Sequence, residues 1–541
     1  MSHSGPTHSR PAPRWRRIAW AAAWLASLAS PALAIAPKLS VGASHMLMLK
    51  SDGSVTGWGG NLAGQLAGGT TGGRWLAPTP LPGLGSGVVD VVARGGWSMA
   101  LKADGTVWVW GNVSDGRDGI DHGGGGQFAA TPTQVPGLRG IVAIASSFNG
   151  MTGFAIDTSG QAWAWGGNGY GLLGTGSSTP LSRAAPQAVP GATGIVRIEA
   201  VETGVIALRQ DGAVLGWGDN GNGTANFWLK STPGTGIFGP TLLQVPAMKA
   251  LAISPVNGGL AIGVTGGGQA LQGGQTNSTL APCAPIAPST ANSPYTVPGL
   301  ASVADAAGGS GWALYRLASG QISACGYNAD GQLGDGTLLS TTYFDKRGPV
   351  AVQGLPAAGV AGIAAGPYAA AAWAADGSVY TWGRGSEGLL GDGTDNASPT
   401  KTATARASLN LGATSNTLAV VSGSQSGAAT SANVDVGIRI PEPHQGQAGA
   451  LFLAALLPSG ALFLYNGATQ QFEPLGSAAS LPTLAAGTLP RALPLAFATG
   501  LNLAPLAGVQ VWLGYGLGAT AAAAADDMLR NNRYGPALTL R

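Results

Sequence analysis

One pattern recurs seven times along this chain and leaves few folds open to it. Residues 45–59, HMLMLKSDGSVTGWG, return at 97–111, 152–166 and 204–218, more weakly at 260–274, and again at 312–326 and 369–383. The turn glycines Gly53, Gly105, Gly160, Gly212, Gly268, Gly320 and Gly377 stand 52, 55, 52, 56, 52 and 57 residues apart, and a second glycine follows each of them six residues later. A period of about 50 residues held over seven copies marks a repeat architecture. Each unit reads as a hairpin: a short apolar strand, Asp-Gly as a turn whose two central residues take positive φ, and a second strand ending in Trp-Gly. A glycine-rich turn and a Pro-x-Val strand follow, as at residues 132–138. Four strands repeated around an axis protect their own sheet edges, which favours a ring of blades. A stacked solenoid of the same units is the competing arrangement. Residues 39–41 precede the first hairpin without a Pro-x-Val strand, and residues 399–404 follow the last without a hairpin, so one blade is expected to be shared between the chain ends.

The repeat in full, with Gly-x-x-His-Ser before the first strand and Asn-x-x-Gly-Gln-Leu-Gly after Trp-Gly, resembles that of the regulator of chromosome condensation family. The clearest matches are residues 42–66 and 312–336, and the resemblance covers roughly residues 38–405. It implies a seven-bladed β-propeller, here of a bacterial exported type. For activity it implies little, because the family uses one scaffold for different partners. The founder exchanges nucleotide on a small nuclear GTPase, and a secreted bacterial relative inhibits β-lactamases.

Residues 1–34 read as a secretory signal peptide. Arg10, Arg14, Arg16 and Arg17 precede an apolar run at residues 18–28, and Ala32-Leu33-Ala34 supplies a cleavage pattern. The run is too short to span a bilayer, which takes about 20 residues. No later stretch is uniformly apolar over that length, so no membrane span is expected after signal removal. Cleavage takes away four arginines and no acid, changing the net charge from +3 to −1. A chain with that balance and no basic cluster lacks the footprint of nucleic-acid binding. The expected location is the periplasm, the cell surface or the exterior.

The propeller is expected over residues 35–406. Residues 407–541 break the period with short apolar runs between Gly, Ser and Pro turns, which reads as a small β-sandwich-like C-terminal domain. The alanine-rich stretch 520–530 reads as a short helix. The fold class is therefore all-β.

Catalysis is poorly provided for. Outside the signal peptide only His45, His122 and His444 remain, with no metal-binding spacing among them. No G-x-S-x-G elbow occurs, and Gly169–Gly174 matches G-x-G-x-x-G without the helix a dinucleotide site needs. Asp115, Asp118 and Asp121 suit either calcium or a solvated loop. No catalytic residue, cofactor or resident metal is expected. Trp58, Trp110, Trp165, Trp217 and Trp382 recur at one position and should pack between blades. Gly273 and Cys325 occupy that position in the fifth and sixth repeats, so the fifth blade should be the least well packed, with residues 280–295 exposed after it. Cys283 and Cys325, the only cysteines, lie in adjacent repeats; they either form a disulfide or leave a buried Cys325 and an exposed Cys283.

The favoured function is a non-enzymatic, exported protein-binding scaffold that uses one face of the propeller. The alternatives are an inhibitor or regulator of an exported enzyme and, by resemblance, an exchange factor. Candidate partner-binding residues are those that break the consensus. Eight residues before each turn glycine stand His45, Trp97, Thr152, Gly204, Leu260, Trp312 and Ala369; the resemblance places them near one end of the central channel. Trp97 and Trp312 are aromatics with no repeated core role, and Phe227-Trp228 lies where the usual loop sequence is missing. His45, Trp97, Trp312, Phe227 and Trp228 are therefore the expected contacts.

Overall fold

The computed structural model describes residues 37–85, 87–123, 126–219, 236–254, 260–274, 283, 294–338, 347–356, 360–374 and 376–411, and, further on, 420–428, 431–440, 447–457, 462–469, 471–474, 483–489, 492–501, 506, 509–530 and 534–539. Residues 1–34, read as a signal peptide, lie outside these.

Seven four-stranded antiparallel sheets follow one another along the chain, each made of four consecutive strands. The first blade consists of Lys38–Val41, His45–Leu49, Val55–Gly60 and Arg74–Pro80, and the seventh of Val360–Ala365, Ala369–Ala374, Ser378–Gly383 and Thr400–Asn410. The first strand of each blade touches the first strands of both neighbours, in a closed circle from blade 1 back to blade 7. The first strands therefore surround the axis, and the half-exposed fourth strands form the rim. This is a seven-bladed β-propeller.

No blade is shared between the chain ends, contrary to expectation. Residues 38–41 pair with the hairpin that follows them, and Thr400–Asn410 pairs with the hairpin that precedes it. The ring closes instead by packing blade 1 on blade 7, where Leu39, Val41 and Trp58 meet Leu389, Leu390, Leu409 and Leu411. The expected propeller boundary at residue 406 falls inside the last strand, because Leu409 and Leu411 are buried in this closing seam.

The turns also differ from the two-residue loop read from Asp-Gly. Leu49 pairs with Val55, and Gly53 N–H donates to Lys50 O while Lys50 N–H donates to Ser54 O. This is a type I turn followed by a glycine bulge, so only the glycine takes a positive φ, 79° at Gly53. The aspartate has a different task. Asp52 Oδ1 accepts from the N–H and the hydroxyl of Ser54, and Asp104 does the same for Thr106.

Register shifts between the third and fourth strands fall at Trp58, Trp110, Trp165, Trp217 and Trp382. The bulge frees the tryptophan from the ladder, and each of these side chains is at most 2% exposed. The glycine that follows is required by close approach: a Cβ at Gly59 would lie 2.4 Å from Ser44 O.

Beyond the propeller, a three-stranded sheet (Val420–Ala428, Ser431–Arg439, Ala492–Leu501) shares a core with a larger sheet centred on Ala448–Leu456 and Gln510–Leu517. Ile438 from the first meets Leu451, Leu453 and Leu513 from the second, the signature of a small sandwich. Helix Ala521–Arg530 packs on Gln510–Leu517 through Ala524, Ala525 and Met528.

Candidate protein-binding face

In every blade the chain meanders, so the loops joining strands one to two and three to four emerge at the same end. The Asp-Gly turns and the Pro-Gly connections between blades emerge at the other. The loop end is held by two sets of contacts between blades that run in opposite directions.

The first set is the tryptophan bond. Trp110 Nε1 donates to Gln65 O at 2.8 Å, Trp165 to Arg117 O at 2.8 Å, Trp217 to Leu172 O at 2.9 Å, Trp382 to Gln332 O at 2.8 Å and Trp58 to Leu389 O at 2.9 Å. Each acceptor belongs to the preceding blade and stands seven residues past that blade's own tryptophan or, in the sixth, past Cys325. The Asn-x-x-Gly-Gln-Leu loop exists to present this carbonyl. Asn61 Oδ1 takes Leu66 N–H, Gln65 Oε1 takes Ala63 N–H, and Asn328 and Gln332 repeat the arrangement in blade 6.

The second set runs forward and involves the expected contact residues. His45 Nε2 lies 2.9 Å from Ser98 Oγ of blade 2, Trp97 Nε1 donates to Ser146 Oγ of blade 3 at 3.1 Å, and Trp312 Nε1 donates to Pro367 O of blade 7 at 3.1 Å. All three side chains are 0% exposed. They are packed between blades and not presented to a partner: at these three ring positions packing dictates the residue, and each is satisfied by a different pair. Ser98 Oγ itself donates to Gln65 O, so it accepts from His45 and the imidazole proton sits on Nε2. Nδ1 is left buried without a partner, and burial, with Arg94 nearby, lowers the His45 pKa from 6.5 to about 3. Phe227 and Trp228 lie outside the described residues.

Ion pairs line the channel: Lys38 with Asp90 at 2.5 Å, and Arg197 with Glu199 at 3.0 Å and Asp305 at 3.7 Å. Between blades 6 and 7, Arg384 grips Asp330 with two bonds of 2.9 and 3.1 Å and stacks 3.6 Å above the Tyr368 ring. The three acids of the blade 2 loop are used separately. Asp115 pairs with Arg117, Asp118 meets His122 Nε2 at 2.6 Å, and Asp121 accepts from Gly123 N–H. Among the described residues no three His, Cys, Asp or Glu side chains gather as a metal site.

Among the described residues, most of the large exposed apolar side chains stand at the loop end, Leu338 on blade 6 and the others on blades 1–3. Leu62 (73%), Ile120, Phe128, Met151, Tyr170 and Leu181 (75%) stand on the loop end of blades 1–3. These loops are contiguous. The blade 1 loop lies on the blade 2 rim, Gly69 N–H donating to Ala130 O, and Gly116 of the blade 2 loop lies against Ala184 of blade 3. The repeat gave no signal for these residues: Leu62 and Tyr170 fill variable positions of the Asn-x-x-Gly loop, Phe128 opens a fourth strand, and the others stand in loop positions that do not recur.

Comparison with known proteins agrees with the fold. Models of the regulator of chromosome condensation repeat match residues 38–65, 159–206 and 376–428. The human probable E3 ubiquitin-protein ligase HERC6 is 32% identical over 39% of this chain, and this chain spans 20% of that protein. The ultraviolet-B receptor UVR8 of Arabidopsis thaliana is 26% identical over 66% of this chain and 78% of its own length. Among solved structures, a chain in that of Kap60 bound to yeast RCC1 (Prp20) superposes with a TM-score of 0.53 at 17% identity, over 75% of this chain and 89% of that one. Human WBSCR16 gives 0.51 at 19% identity, over 62% and 84%. No helix among the described residues is long and apolar enough to cross a membrane.

Proposed function

We propose, for a chain that carries regulator of chromosome condensation repeats and folds as a propeller of that repeat family, that it is an exported protein-binding scaffold which engages its partner through the loop end of blades 1–3. The observation that carries this reading is the gathering of Leu62, Ile120, Phe128, Met151, Tyr170 and Leu181 on adjoining loops of one end. Exposed apolar side chains in such a group mark interaction surfaces. The signal-peptide reading of residues 1–34 supports export, and the net charge of −1 after cleavage favours a protein partner over a nucleic acid.

A photo-reactive amino acid placed at Leu62 or Leu181 in the producing cell tests the reading, with Asp104 at the turn end as the control position. One discrete adduct is expected from both loop-end sites and none from the control. With the probe at Leu62, the added changes Met151→Asp and Leu181→Asp should abolish the adduct at an unchanged melting temperature. Equal adducts from both ends, or a doubly substituted protein that still gives the adduct, would overturn it.

A further inference from the structure

Five seams of the ring are fastened by the same tryptophan bond. The seam between blades 5 and 6 cannot use it, because the slot in the sixth blade holds Cys325. There the slot residue is bonded to Cys283, with Cα atoms 5.3 Å apart. Cys283 stands ten residues past the fifth blade's own slot residue, Gly273, between the third and fourth strands of that blade. The disulfide thus links the same two parts of adjoining blades, in the same direction, as the indole bond does elsewhere. Both cysteines are buried, at 1% and 0% exposure. Beside them Gln272 Nε2 lies 2.5 Å from the Tyr315 hydroxyl of blade 6 and 3.3 Å from Cys283 Sγ, and Tyr295 donates to Gln272 Oε1 at 2.7 Å. A small polar cluster fills the space beside the bond; elsewhere in the seam the Ser254 hydroxyl donates to Gly309 O at 2.6 Å and Ile262 and Val264 share an apolar cluster with Ala306 and Tyr315, so the disulfide is the covalent part of this seam.

We propose that the Cys283–Cys325 disulfide replaces the tryptophan bond as the fastening between blades 5 and 6, so that its redox state sets how firmly this one seam is closed. The reductant is a dithiol. Its thiolate attacks one sulfur, forming a mixed disulfide and releasing the other cysteine as a thiolate that takes up a proton. The second thiol of the reductant gives up its proton and displaces the first cysteine, which is protonated in turn. The protein bond gains two electrons and two protons, and the dithiol becomes a cyclic disulfide. Burial of both cysteines makes opening of the seam a precondition of attack. The inference holds whichever protein the loop end binds.

Hydrogen–deuterium exchange on the full chain tests it, comparing oxidised protein with protein reduced by dithiothreitol and shown by mass to carry two alkylated thiols. Exchange should quicken about tenfold or more in Ala270–Gly274, Trp312–Leu317 and Ile322–Gly326, and stay unchanged in Trp97–Lys102 and Val107–Asn112. Cys325→Ser should show the quickened pattern with or without dithiothreitol, and it carries the comparison if the oxidised protein resists reduction. If that variant fails to fold, the reduced natural protein carries it. Unchanged protection in blades 5 and 6 without the bridge would overturn the proposal, as would equal loosening of all seven blades.

Discussion

Acidification from pH 7 to 4.5 should destabilise the propeller through His45 alone by about 2.5 kcal/mol. Unfolded, the imidazole takes up its proton near 6.5; folded, only near 3, because its charge would be buried beside Arg94 and the incoming proton would occupy an Nδ1 that has no acceptor. Between those values the unfolded state binds more protons. The contribution is therefore complete above pH 6.5 and is lost as the pH falls toward 3. Each pH unit in that window is worth about 1.4 kcal/mol, for a total of about 4–5 kcal/mol. His45→Gln cannot take up this proton, so the natural protein minus the variant isolates the effect from every other titrating group. Urea unfolding followed by tryptophan fluorescence at pH 7 and 4.5 supplies the four free energies. A difference that is the same at both pH values within about 0.5 kcal/mol would refute the reasoning, as would a folded-state imidazole resonance, assigned to His45 by its loss in His45→Gln, that titrates near 6.5.

Trp97→Ala and Trp312→Ala should each cost about 3–5 kcal/mol in the same unfolding assay, because both side chains are wholly buried between blades. Trp110→Phe keeps most of the apolar contact and removes one of the two donors to Gln65 O, the Ser98 hydroxyl remaining, for a loss of about 0.5–1.5 kcal/mol. Gly105→Ala should cost about 1–2 kcal/mol, since φ there is 78° and the new Cβ would sit 3.0 Å from Ile141 N; a melting temperature equal to that of the natural protein would count against the bulged turn.

The repeat revealed the blades because period is a local property: strand, turn and strand are dictated within 15 residues, and the slot tryptophans recur because their surroundings recur. Two features escaped for physical reasons. Asp-Gly suits both a two-residue loop and a type I turn with a bulge, and only the pairing of Leu49 with Val55 separates them. Which neighbour residues 38–41 join is likewise not a matter of spacing, so the shared blade was a choice that periodicity could not make. The ring position of His45, Trp97 and Trp312 misled for a subtler reason. Variation there looked like freedom from packing, yet each residue is fitted to a partner about fifty residues downstream: Ser98 for His45, Ser146 for Trp97, Pro367 for Trp312. The exposed leucines, tyrosine, phenylalanine and methionine of the candidate face had no signal at all, because exposure is decided by what the neighbouring loops leave uncovered.

Closure without a shared blade changes what tension does to this molecule. A ring whose last blade is stitched from both chain ends must shear strand ladders before it parts. Here a pull on residues 37 and 411 loads a seam of packed side chains, the Trp58 bond to Leu389 O, the Arg74–Asp395 pair and two isolated backbone bonds, Ser51 N–H to Leu411 O and Gly393 N–H to Leu76 O. The ring would open there as a bracelet does at its catch, with every blade still folded, and then unroll from the two free edges. Blades 5 and 6, joined through sulfur, would travel as a single link.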